Sequence, residues 1–139
     1  MPAKDVYHDA IKNALVKDGW IIFADPYKIK YKDTELFADL AIERPIANEH
    51  NGRKIIVEIK SFLSASPMRD FELALGEYIL YRNLINLTEP EYQVYLAIKD
   101  SIYENFFNGI RNLALICRSG QIIYHFQLVI SLATLVKIK

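Results

Sequence analysis

Apolar residues recur at two spacings along this chain, and the switches between the two predict its elements. Over Ala3–Asp18, Tyr7, Ala10, Ile11, Ala14 and Leu15 fall on one helical stripe. Lys4, Asp5, Asp9, Lys12 and Lys17 take the other side, and His8 lies at the border. Gly19 stands just past the end, where helices stop in left-handed backbone. Trp20–Ala24 is a short apolar run, expected as a buried strand, and Asp25-Pro26 marks a turn. Tyr27–Lys32 alternates, which puts Lys28, Lys30 and Lys32 on one face of a strand. Glu35–Ile42 reads as one further strand. The turn dipeptide Asn51-Gly52 joins it to another over Lys54–Phe62. These segments predict a twisted antiparallel meander entered from a helix.

Ser64, Ser66 and Pro67 break the alternation, and a long helix follows from Asp70 to about Leu87. It is apolar on nearly every side, so it is expected to be covered on more than one. Gly76 in its middle costs about 1 kcal/mol relative to alanine, a cost that close packing of backbone on backbone would explain. Tyr92–Ile98 alternates as a strand. Ser101–Asn108 is a short helix, with Ser101 at the N-cap and Glu104 at the capping-box position. Leu113–Cys117 and Ile122–Phe126 flank Ser119-Gly120 as a hairpin, and Leu128–Lys139 makes a last strand. No linker interrupts the pattern. The expectation is a single α/β domain over residues 1–139, a mixed sheet with helices packed on it.

Composition narrows the functions open to such a domain. Hydrophobic residues make up 52% of the 139 positions, enough for one well-packed core. The 17 basic and 17 acidic side chains cancel, so no global field draws the chain to nucleic acid or to an anionic membrane. Any contact with DNA must use a local basic patch or a bound cation. Cys117 stands alone and supports neither an internal disulfide nor a metal site by itself. The opening MPAKDVYHDA is too polar for a secretory signal, and Leu128–Val136 is too short to span a bilayer. A cytoplasmic setting is expected.

Three charges stand where charge is expensive. Asp39 lies inside FADLAI, and Glu58 and Lys60 lie inside IIVEIK. Residues two apart on a strand share a face, so Glu58 and Lys60 project together while Ile55, Val57 and Ile59 point the other way. A hairpin through Asn51-Gly52 can set Asp39 beside Glu58. Two carboxylates can hold Mg²⁺ or Mn²⁺, and a lysine beside them can orient water or stabilise charge growing on a phosphate. That set is chemically sufficient to cut a phosphodiester bond. The plainer alternative is a solvent-facing cross-strand ion pair.

The order of helix, strand, Asp strand, E-x-K strand and helix resembles the catalytic core of the PD-(D/E)xK nucleases, with Ala38 where proline often precedes the Asp. Glu77 and Tyr81, four apart on one helical face, resemble the Q-x-x-x-Y motif of RecB-like members, with Glu77 in the Gln position. Glu77 can add a metal ligand, or it can pair with Arg82 or a lysine of the sheet. In related nucleases the first helix supplies an acidic residue to the metal, which makes Asp5, His8 and Asp9 candidates. Lys28, Lys30 and Lys32 can contact phosphates or form an exposed strand face. No role is assigned to His50 or His125.

A closer resemblance covers most of the chain through about Phe107. MPAKDVYHDAIKNALVKDGW, ADPYKIKY, VEIKSFLSAS, DFELALGEYILYRNL, YLAI and IYENFF are similar, in order, to the fdxN element excision controlling factor (XisH) family. Members usually carry Gln at the Glu77 position, and often end in a Trp that is absent here. The resemblance implies a restriction-endonuclease-like fold and a controlling role in programmed excision of a DNA element during cyanobacterial heterocyst development. It implies DNA, a site-specific recombinase and an XisI-type companion protein as partners, and no membrane. The residues themselves leave two roles open, a Mg²⁺- or Mn²⁺-dependent endonuclease or a nuclease fold kept as a regulatory partner. Apolar helix faces and strand edges leave room for a homodimer.

Overall fold

The alternating middle of the chain closes into a five-stranded sheet in the computed structural model, which describes residues 6–45, 52–98, 102, 105 and 129–131. The described elements are α1 (His8–Lys17), β1 (Ile21–Ala24), β2 (Tyr27–Tyr31), β3 (Thr34–Ala38), β4 (Leu40–Arg44), β5 (Arg53–Ile59), α2 (Pro67–Thr88), β6 (Gln93–Ile98) and β7 (Val129–Ser131). The sheet order is β1-β4-β5-β6-β7. The first three strands pair antiparallel, and β6 and β7 add in parallel. The architecture is a mixed sheet flanked by helices.

β5 is the centre of the sheet, and its sequence shows why. Ile55, Val57 and Ile59 pack on one face with Ile11 and Leu15 of α1, beside Trp20. Ile56 packs on the other with Tyr78, Tyr81 and Ile85 of α2. A strand covered on both faces reads as a continuous apolar run. Burial of each such isoleucine contributes roughly 1.5–3 kcal/mol. A charge placed in β5 is therefore enclosed by default.

Local signals set the helix ends. Gly19 has φ +96°, its N–H donates to the Val16 carbonyl (3.1 Å), and the Trp20 N–H donates to that of Leu15 (3.0 Å). This is a Schellman ending, and it turns the chain sharply into β1. Arg44 closes the same corner. It donates to the Asp18 carbonyl and to Asp18 Oδ2 at 2.7 Å, and it stacks 4.4 Å from the Trp20 ring centre. α2 begins at Pro67, three positions before its expected start, because Ser66 caps it. The Ser66 Oγ accepts from the Arg69 N–H at 3.3 Å. The residues that break the alternation are thus the start of the helix.

Several expectations change. The meander is not continuous, since β2 and β3 leave the main sheet as a separate hairpin. Glu35–Ile42 is not one strand but two, parted at Asp39, because Ala38 pairs with Tyr27 while Leu40 pairs with Val57. β1 is not buried. It is the edge of the sheet, and Ile21 and Phe23 are exposed. α2 keeps an outward line of exposed leucines, Leu73, Leu80 and Leu87. No tight packing explains Gly76, because a Cβ there would meet nothing within 4 Å. Gly52 is the glycine that close approach does require. A Cβ on it would run into the Arg44 carbonyl and lie 2.8 Å from the Pro45 Cα. The helix expected over Ser101–Asn108 lies outside the described residues apart from Ile102, which packs beside Phe62 and Phe71, and residue 105. The hairpin expected over Leu113–Cys117 and Ile122–Phe126 lies outside them altogether. β7 falls within the expected last strand. Among the described residues, no helix is long and apolar enough to cross a membrane.

Candidate metal and phosphate site

The break between β3 and β4 is where the site begins. Leu40 pairs with Val57 and Ala41 with Ile56, so the same register carried one step back sets Asp39 against Glu58. Asp39 has no strand partner of its own on that side. Its Oδ2 instead accepts the Ile59 N–H at 2.6 Å, which locks the carboxylate onto the end of β5. A charged acceptor on a backbone N–H is among the stronger hydrogen bonds.

Glu58 is 5% exposed, and its Oε2 has no hydrogen-bond partner among the described residues. Its carboxyl is pushed up to about 10. Burial is the main cause, followed by a hydrogen bond with Asp39, the charge of Asp39 and the charge of Glu77, with Lys60 pulling the other way. At neutral pH Glu58 is a neutral acid that shares its proton with Asp39.

Lys60 follows β5 directly. Its N–H continues the ladder to the Ala97 carbonyl at 3.1 Å, and its Nζ lies 2.8 Å from Glu77 Oε2. Burial disfavours the ammonium, but the Glu77 bond and the charges of Glu58, Glu77 and Asp39 outweigh it and raise the lysine above its usual range. Lys60 is thus a fixed positive charge, not a base. Glu77 takes the lysine of the sheet as a partner. Tyr81, one turn further along α2, donates to the Phe37 carbonyl at 3.1 Å. Burial, then the charges of Glu58, Glu77 and Asp39 and a hydrogen bond with Glu58, push its phenol up, so it stays protonated.

His8 is not at the border of its helix. It is 2% exposed, on the buried face with Ile11 and Leu15. Its Nε2 lies 2.8 Å from Asp25 Oδ1, and its Nδ1 lies 3.7 Å from Asp39 Oδ1. Nδ1 is buried without a hydrogen bond. The second oxygen of Asp25 accepts from Lys12 Nζ at 2.7 Å. Burial pushes Asp25 up, but the bonds and charges of Lys12 and His8 prevail and hold it below the usual carboxylate range. Sequence reading passed over Asp25 and Lys12. The available signals were the four-residue step from His8 to Lys12, which puts both on one helical face, and an Asp in the turn after β1.

The other candidates stand apart. Asp5 lies outside the described residues, and Asp9 is exposed on α1. Lys28 pairs with Glu35 at 2.9 Å, and Lys30 is exposed beside it on the β2–β3 hairpin. Lys32 does not share their strand face. It sits in the hairpin turn at φ 53°, its Nζ 5.4 Å from the Tyr31 ring centre.

Among the described residues, no three His, Cys, Asp or Glu side chains form a ready cage for a metal ion. What the fold does assemble is a pair of carboxyls joined by a proton, with two buried atoms lacking partners, Glu58 Oε2 and His8 Nδ1. Carboxylate oxygens such as those of Asp39 and Glu58 suit Mg²⁺ or Mn²⁺, ions that take few protein ligands and keep several waters. By that chemistry the residues fit such an ion.

Comparison with known proteins agrees with the sequence pattern. The XisH protein family model matches residues 1–129, so the chain belongs to the XisH family. The crystal structure of an XisH family protein from Nostoc punctiforme PCC 73102 is similar at 36% identity and TM-score 0.72, covering 91% of this chain and 90% of that one. That of a fdxN element excision controlling factor protein from Anabaena variabilis is similar at 35% identity and TM-score 0.72, covering 92% and 90%. No curated protein matches the chain.

Proposed function

We propose that this XisH family chain is a controlling factor in the programmed excision of a DNA element, and that it acts through a Mg²⁺- or Mn²⁺-dependent nuclease site of PD-(D/E)xK layout on a restriction-endonuclease-like core. One observation carries the reading. A carboxyl in the central strand is enclosed with an unpartnered oxygen and kept as a neutral acid. Burying such a group unmatched costs several kcal/mol, and a cation placed against it removes that cost. A structural ion pair would have no such gap.

The chain's own groups divide the work. Asp39, fixed by the Ile59 N–H, and Glu58 would supply the oxygens that hold the ion, and His8 Nδ1 lies 3.7 Å from Asp39 Oδ1. When bound, such an ion polarises a phosphoryl oxygen and acidifies a coordinated water. Lys60 presents a permanent ammonium where charge grows on the phosphate. Glu77 orients Lys60, and Tyr81 ties α2 to the end of β3. The fdxN excision role is that of the Anabaena variabilis relative, and it extends to this chain as part of the proposal.

A second reading is favoured by one contact. Lys60 is already bonded to Glu77, where other members usually carry a neutral Gln. A site that neutralises itself in this way suits a nuclease fold used as a regulatory partner of the recombinase or of an XisI-type protein. A cleavage assay separates the two. Purified chain is incubated with supercoiled, linear, single-stranded and branched DNA in Mg²⁺ or Mn²⁺, beside Glu58→Ala and Lys60→Ala with folding checked by circular dichroism. Metal-dependent cutting that both variants lose supports the nuclease. Its absence on every substrate, together with capture of the recombinase or XisI-type protein, supports the regulatory partner.

A further inference from the structure

We propose that the outer face of α2 pairs with the same face of a second copy of the chain, antiparallel, about a two-fold axis at Leu80. Leu73, Leu80 and Leu87 stand 59%, 46% and 65% exposed. They recur every seven residues, two helical turns, which sets them in one row. From Leu73 to Leu87 no exposed residue of the helix is charged, and the others on that side are Gly76, Asn83 and Asn86. A helix face turned to water ordinarily carries charge. The outer face of α1 does so, with Asp9 and Lys17 exposed. Glu77 borders the leucine row, but Lys60 Nζ at 2.8 Å matches its charge.

The ends of the helix say what covers the row. Arg69 is exposed in the first turn of α2, and Glu91 is exposed just past its last residue, Thr88. Leu80 lies eleven positions from each. Two copies crossing antiparallel at Leu80 therefore set Leu80 against itself and Leu73 against Leu87 on both sides. The same crossing brings Arg69 of each copy to the Glu91 end of the other. The face is complementary to itself, as a closed two-fold contact demands. A parallel pair would set Arg69 on Arg69 and Glu91 on Glu91, so charge selects both the second copy and its direction. The other exposed apolar surface, Ile21 and Phe23 on the edge strand β1, is less suited to pairing. A bulge between Ile22 and Ala24 breaks its register, and bulges blunt edge-to-edge association. The 22 residues of α2 span about 33 Å. A two-helix contact of that length is at the small end of specific interfaces, which sets the dimer in the micromolar range.

Sedimentation velocity of the full chain, from about 1 to about 300 μM, is expected to show a monomer–dimer equilibrium. Leu80→Glu puts two like charges on the axis and is expected to weaken the dimer about 100-fold or more, with the Tm of the dilute chain unchanged. Arg69→Glu and Glu91→Arg are each expected to weaken it several-fold, and the double variant Arg69→Glu/Glu91→Arg to restore it. That restoration separates pairing from a folding defect. In a parallel pair like charges would face each other in every variant, and none would change the affinity. A chain that is monomeric at every concentration, a dimer that survives Leu80→Glu, or a double variant no tighter than its single parents overturns the proposal. A monomer in which Leu80→Glu lowers the Tm overturns it in favour of cover from within the chain. A monomer that binds a companion protein through the leucine row overturns it in favour of that partner.

Discussion

Two corners of this molecule place charge against apolar packing, and they do so in opposite ways. At the end of α1, Arg44 meets the Asp18 carboxylate at 2.7 Å and the Asp18 carbonyl, and covers its flat face with Trp20. Charge and stacking face of the guanidinium are both matched within the chain. At the end of β5, Glu58 is buried beside Asp39, which repels its ionised form, and one of its oxygens is left unmatched. In the first arrangement the charge is matched as folded, and the unpartnered atom beside it is the neutral Trp20 Nε1. The second is complete only when something positive arrives. A matched charge marks structure, and a buried carboxyl left unmatched in a rigid frame is a candidate place for chemistry.

The comparison can be broken most directly by removing the misfit. Glu58→Gln is expected to abolish Mn²⁺ binding and yet to stabilise the metal-free chain. Glu58 is protonated in the folded state up to about pH 10, against 4.5 for an unperturbed carboxyl. The folded chain therefore binds the extra proton across that window. The resulting contribution is fully present below pH 4.5 and is lost as pH rises toward 10. Thermal melts of the parent should fall between about pH 5 and about pH 9, while those of Glu58→Gln should fall less, with a gain of roughly 2–4 kcal/mol at the alkaline end. A variant less stable than the parent at every pH would mean that Glu58 is matched after all.

Arg44→Ala should do the reverse. It breaks a partly exposed ion pair and uncovers Trp20, for a loss of about 2 kcal/mol and roughly 3–6 °C in Tm. Mn²⁺ affinity should be unchanged, and a coupled loss of affinity would join the two corners that the account keeps apart. The smallest expected effect is at Gly76→Ala. With nothing near its Cβ position, the methyl should add about 0.5–1 kcal/mol by helix propensity, measured by urea unfolding. A loss would show that the helix surface there is covered.

Legibility from sequence followed the range of the forces involved. Gly19, the two helices and the apolar run of β5 are written in nearest neighbours, and they were read correctly. So was the meeting of Asp39 with Glu58, because a hairpin fixes it by register alone. The break at Asp39 was not legible. ELFADLAI alternates smoothly, and only competition between Tyr27 and Val57 for the flanking residues splits it. His8 was misread for a related reason. Helical spacing placed it at the edge of the stripe, but Asp25, 17 positions away, pairs it and so permits its burial. The pairing of Glu77 with a lysine of the sheet shows only in three dimensions, where Lys60 Nζ lies 2.8 Å from Glu77 Oε2.

Calorimetric titration of Mn²⁺ into the metal-free chain tests the central claim most directly, at about pH 6 and about pH 8, in buffers of different ionisation heat. If the ion takes the place of the proton shared by Asp39 and Glu58, binding releases about one proton per ion and tightens as pH rises. Binding without proton release, or no binding at either pH, would contradict the account and leave Glu58 as a buried acid without a cation to serve.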